Sequence, residues 1–84
     1  MNKETIYYIE SSGSLYKCEI YKNIGYFHYY NNFDKIWSKS MFSIDEVGLH
    51  LREITDEAAF AIMLEMERML TSNYAQELVK QLFK

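Results

Sequence analysis

Apolar residues recur along this chain with two different periods, and the change falls near the middle. Between Glu4 and Phe42 they come in short runs of strand-forming residues separated by turn signals. Ile6, Tyr7, Tyr8 and Ile9 make the first run, and Ser11-Ser12-Gly13-Ser14 breaks it. From Leu15 to Lys22 the pattern alternates. Tyr16, Cys18 and Ile20 face one way and Lys17 and Glu19 the other, the period-2 signature of a half-buried strand. Asn23-Ile24-Gly25 reads as a turn, Tyr26 to Tyr30 as a third strand, Asn31-Asn32-Phe33-Asp34 as another turn, and Lys35 to Phe42 as a fourth strand. Three short connections predict an antiparallel meander of hairpins.

The helical period takes over after Phe42. Ser43-Ile44-Asp45-Glu46 has the form of a capping box. Ile44, Val47, Leu51 and Ile54 follow at helical spacing, yet Val47, Leu49 and Leu51 also alternate, so a fifth strand competes with a helix over 47–52. Thr55 is an N-cap, with Asp56 and Glu57 at the positive end of the dipole, and the helix it opens is expected to reach about Leu70. Thr71-Ser72-Asn73 interrupts it. Asn73 and Gln76 suit the start of a last helix. The expected fold class is α+β: a meander of about four strands followed by two or three helices on one face, in a single domain (1–42 β-meander, 43–84 helical).

On a wheel of 100° per residue, Ala58, Ala59, Ile62, Met63, Met66, Met69 and Leu70 share an arc of about 140°, wide enough to face a core. Phe60 and Leu64 fall outside it. The last helix gathers Tyr74, Ala75, Leu78, Val79, Leu82 and Phe83 on one half of its wheel. Such a short helix must bury its apolar face, either by folding back onto Phe60 and Leu64 or by docking on a symmetry mate. Phe60, Leu64, Tyr74, Leu78 and Leu82 are therefore the candidate contacts of a homodimer.

Composition narrows the chemistry. With 84 residues and one cysteine, the chain has room for one modest core and no internal disulfide. Cys18, on the strand face of Tyr16 and Ile20, reads as a buried, inert thiol. His28 and His50 are the only histidines, and neither has the spacing of a metal ligand or of a nucleophile–base pair. Gly13, Gly25 and Gly48 are isolated and match no phosphate-binding fingerprint. No enzyme, metal or cofactor is expected. The first residues lack a signal peptide's apolar run, and no apolar stretch is long enough to cross a membrane, so the expected location is the cytoplasm.

The net charge of −3 is unevenly divided. Residues 1–42 carry five lysines against four acids, and residues 43–84 four basic residues against eight acids. Glu53, Asp56, Glu57, Glu65 and Glu67 form an acidic helical flank suited to a protein partner with a basic surface. Tyr29, Tyr30 and Trp37 stand for the sheet aromatics, which first of all pack across strands with their polar edges in water and next would reach a protein partner. The alternative uses that sheet to stack nucleobases, but the scattered lysines make no phosphate-binding groove, so direct nucleic-acid binding ranks lower.

Tyr-rich hairpins followed by Ile54-Thr55-Asp56-Glu57-Ala58 opening an acidic helix resemble, in size and layout, small accessory proteins of phages and mobile elements. Some of those inhibit bacterial defence systems, anti-CRISPR proteins among them. The resemblance implies a non-enzymatic inhibitor of a nucleic-acid-binding partner and carries over no residue role. The +1 first half departs from the uniformly acidic make-up of strict DNA mimics.

Overall fold

Two left-handed residues close the tightest turn of the sheet. Lys22 and Asn23 lie at φ 52° and 67°, between the paired residues Tyr21 and Ile24. Left-handed backbones at both central positions match the twist of the flanking strands. The computed structural model describes residues 4–39 and 51–83. Strands β1 (Glu4–Glu10), β2 (Leu15–Tyr21), β3 (Ile24–Asn31) and β4 (Ile36–Lys39) form the meander, and β5 (Leu51–Ile54) adds to its far side. All pairs are antiparallel, in the order β4-β3-β2-β1-β5. Helices α1 (Asp56–Met66) and α2 (Asn73–Leu82) follow. The α+β meander-plus-helices expectation holds, with five strands.

Residues 43–50, including the Ser43–Glu46 capping box, lie outside the described residues, as do 40–42. Leu51 and Ile54, which fit a helical stripe in sequence, belong instead to β5, where they pair with Glu10 and Tyr7. Residues three apart on a strand face opposite ways. Leu51 accordingly joins one apolar cluster with Cys18 and Phe27, and Ile54 the other with Ile9, Leu15 and the helices. A helix would have carried both to one side.

The larger cluster sits between the helices and one end of the sheet. Ile9, Leu15, Ile54, Ala58, Ala59, Ile62, Met66 and Ala75 are buried in it, with Tyr7, Tyr30, Trp37, Met63, Leu78, Val79 and Phe83 packed around them. The register puts Lys17 opposite Tyr7 and His28, so this sheet face also carries the ion pairs of Glu19 with Lys17 (3.3 Å) and with His28 (3.5 Å). Lys17 Nζ lies 4.6 Å from the Trp37 ring centroid. Cys18 points to the opposite face and is buried.

The α1 helix ends at Met66, not near Leu70, where the β3–β4 turn captures its last carbonyl and one in the segment that follows. Lys35 Nζ donates to the carbonyl of Met66, and Asn32 Nδ2 donates to that of Leu70. Lys35 itself is left-handed (φ 61°). Cations are favoured at a helix C-terminus, and the last turn of α1 has no basic residue of its own. With the helix stopped, Met69 and Leu70 leave the buried arc and stand exposed. At the start of α2 the cap is Ser72, not Asn73: its Oγ accepts from the Ala75 amide at 3.0 Å.

Gly13 closes the β1–β2 turn at φ +93°, a region L side chains avoid, and a Cβ there would collide with Gln76 Nε2. Gly13→Ala is expected to cost about 1–3 kcal/mol in urea unfolding. A midpoint equal to the parent's would show that the turn relaxes freely.

Candidate functional site

The fold leaves apolar side chains uncovered in several places, Ile24, Phe33 and Ile36 of the sheet and its turns among them. The outward face of α1 is the one that presents two such side chains side by side on a helix. Thr55 starts this helix, its Oγ1 accepting from the Ala58 amide at 3.1 Å, and that sets the rotation of everything after it. Ala58, Ala59, Ile62 and Met66 then point into the core. Phe60 and Leu64, one turn apart, point outward and are 48% and 63% exposed. Asp56, Glu57 and Glu67 are exposed too. At 100° per residue these three fall within about 60° of Phe60 on the wheel, so carboxylates border the apolar pair on both sides. Phe60 keeps one edge on the sheet, its ring 5.7 Å from Tyr7 in an edge contact. That contact leaves nearly half of it free to be covered and limits the rotamers it must give up on binding.

Of the five acids expected to act together, three flank this ridge. Glu53 lies on β5, opposite Tyr8 of β1, on the sheet face away from Ile54 and the helices. Glu65 is engaged within the chain. It accepts from Ser72 Oγ and, at 3.0 Å, from the Tyr74 amide. These bonds, the Ser72 hydroxyl first, hold its carboxyl below the usual glutamate range.

The aromatics do not form one surface. Tyr30 and Trp37 meet at 5.2 Å, edge to face, and both pack against the helix-side core beside Tyr7. Burial, and secondarily Glu67, raises the Tyr30 hydroxyl's pKa. Tyr29 is on the opposite face beside Tyr16, with ring centroids 6.5 Å apart. A continuous platform for stacked bases is therefore missing from this trio.

Among the residues proposed as dimer contacts, Leu78 is half-buried in the core of its own chain. The α2 helix packs with Ala75, Leu78, Val79 and Phe83 onto the main cluster, not onto Phe60 and Leu64, and Phe83 stacks under the Arg52 guanidinium at 4.8 Å. Tyr74 and Leu82 remain exposed at its margin.

Sequence reasoning missed two features. Phe33, at the β3–β4 tip, is 74% exposed on a turn held by Asn31 Oδ1, which accepts from the Phe33 and Asp34 amides at 3.0 and 3.1 Å. The turn itself was legible at Asn31–Asp34; the position of Phe33 at its solvent-facing tip was the signal that could have singled out the residue. An open concavity of about 450 Å³ lined by Leu64, Glu65, Glu67, Arg68 and Met69 exists only because α1 stops early, which a wheel extended to Leu70 hides.

Burial raises the Cys18 thiol's pKa, which disfavours the nucleophilic thiolate. Among the described residues no cluster of three or more His, Cys, Asp or Glu could hold a metal ion, and no helix is long and apolar enough to cross a membrane. Comparison with known proteins yields no match: no family model, no curated protein and no solved structure matches the chain.

Proposed function

We propose that this chain is a non-enzymatic binding module that docks on a protein partner through the outward face of α1. The observation that carries the reading is the exposure of Phe60 and Leu64 on a helix whose opposite side is locked into the core. Large apolar side chains held rigidly on a regular element make good interface anchors, because little conformational freedom is lost when they are covered. A module of this kind acts by occupying its partner's surface, which suits an inhibitor of a nucleic-acid-binding protein in the cytoplasm. It needs no catalytic group of its own.

A photo-reactive benzoylphenylalanine placed at position 64, with a second at Lys80 on the outer side of α2 as control, tests this in the cells the protein comes from. Position 64 is expected to cross-link a defined protein that position 80 does not. Equal labelling from both sites, or labelling of nucleic acid alone, would move the contact surface elsewhere.

A further inference from the structure

Three kinds of occupant compete for the Phe60–Leu64 ridge: a second copy of this chain, a polyanion, and a cationic protein surface. Charge decides between them. Residues 53–67 hold five carboxylates (Glu53, Asp56, Glu57, Glu65, Glu67) and no Lys, Arg or His. The ridge is bordered by three of them, Asp56, Glu57 and Glu67, and the nearest guanidinium in sequence is Arg68 just past the helix end. Lys35 also reaches this end, but its ammonium group is already engaged by the Met66 carbonyl, so the three carboxylates still outnumber the cations beside the ridge.

A nucleic acid or an anionic membrane would be repelled by such a rim. A second copy would bring the same excess of carboxylates against itself. Two Arg68 and two Lys35 side chains still fall short of six carboxylates across a two-fold axis, and like charges juxtaposed in an interface cost several kcal/mol. A protein surface with the opposite arrangement gains from both features at once.

Resting on the docking reading above, we infer that the ridge takes a partner segment whose apolar strip is bordered by lysine or arginine. Phe60 and Leu64 fill the strip. Asp56 and Glu57 at one end and Glu67 at the other meet the flanking cations. At the Glu67 end the concavity under Leu64 and Met69 accommodates the aliphatic stem of such a residue while its head reaches the carboxylate. The rim speeds and orients encounter, and the apolar pair supplies the residence time.

The test needs no natural partner. The probe is a fluorescein-labelled helical peptide of leucine and lysine, with leucines in one stripe and lysines on either side. Controls are the same peptide with glutamate for lysine, and a single-stranded oligonucleotide. Anisotropy should report saturable binding of the lysine peptide only, weakened by added salt. Leu64→Ser should weaken it about tenfold, and Glu57→Lys with Glu67→Lys by at least as much. Glu77→Lys, an equal charge change on the outer side of α2, should leave it within about twofold. All these positions are exposed, and a circular dichroism melt of each variant confirms folding.

Equal loss with Glu77→Lys, indifference to Leu64→Ser, binding of the oligonucleotide, or a parent dimer in sedimentation that Phe60→Ser abolishes would each overturn the inference. If position 64 still cross-links a protein in cells while the peptide fails, the partner chemistry is wrong and the surface right. If the cross-link itself fails, the surface assignment falls.

Discussion

Ile62→Asp will leave the chain unfolded at 25 °C, whereas Leu64→Asp, two residues further along the same helix, will fold with nearly the parent's melting temperature. Ile62 has no exposed surface and sits in the cluster that joins α1 to the sheet and to α2. Truncating such a side chain to alanine already costs about 2–5 kcal/mol. An aspartate there must also give up its hydration among Ile9, Leu15 and Ala75 with no partner for the charge, a further penalty of several kcal/mol. A domain this small draws on a total stability of about 5–15 kcal/mol, and at 84 residues it sits toward the low end. Leu64 already faces water, so its replacement stays within the small range of surface substitutions. Far-ultraviolet circular dichroism with urea titration reads both. A folded Ile62→Asp variant, or a collapsed Leu64→Asp variant, would mean that α1 is rotated from the orientation on which the proposed docking surface depends.

That rotation was legible in the sequence because it follows from one local rule. Thr55 with Asp56 and Glu57 fixes the start of the helix, and 100° per residue then assigns Ala58, Ala59, Ile62 and Met66 inward. The alternation of β2 was equally clear, and so was the polar break at 11–14. What failed were properties created by contacts distant in sequence. Nothing near Met66 says that Lys35 and Asn32, more than thirty residues away, will take the carbonyls of Met66 and Leu70 and leave Met69 and Leu70 exposed. Leu51 fits both a helical stripe with Ile54 and an alternation with Val47 and Leu49, and only the open edge of β1 decides for the strand.

The candidate site was legible in part for the same reason. Phe60 and Leu64 stand out on any wheel, since no second apolar arc is needed to pack one helix on one sheet. Which carboxylates would share their face was harder to read. Glu65 lies one residue from Leu64 in sequence, yet its angle turns it toward α2, where the Ser72 hydroxyl and the Tyr74 amide claim it. Tyr29, Tyr30 and Trp37 scattered because neighbours on a strand alternate faces, and alternation cannot say which face the helices will choose. The choice is less obvious than composition suggests: they cover the face that carries Lys17, Glu19 and His28, and only at the end where Ile9, Leu15 and Ile54 replace those charges.

The junction between the two helices makes the second large prediction. Ser72 is buried, accepts from the Ala75 amide as the α2 cap, and donates to Glu65 at the end of α1. Ser72→Ala removes the cap and one donor together, and loss of a cap alone costs about 0.5–2 kcal/mol. It also changes the response to acid. Because its bonds depress the folded-state pKa of Glu65 below the ordinary glutamate value of 4.5, the unfolded chain binds the proton first. The carboxylate's contribution is therefore complete at neutral pH, declines as pH falls past that value, and is gone below the folded-state pKa. Urea midpoints measured from pH 7 down to 3 should fall for the parent and fall less steeply for Ser72→Ala, since its Glu65 has lost the strongest cause of its depression. Parallel pH profiles for the two proteins, offset by a constant, would show that Ser72 acts as a cap alone and that the Glu65 bond contributes nothing to holding α2 against α1.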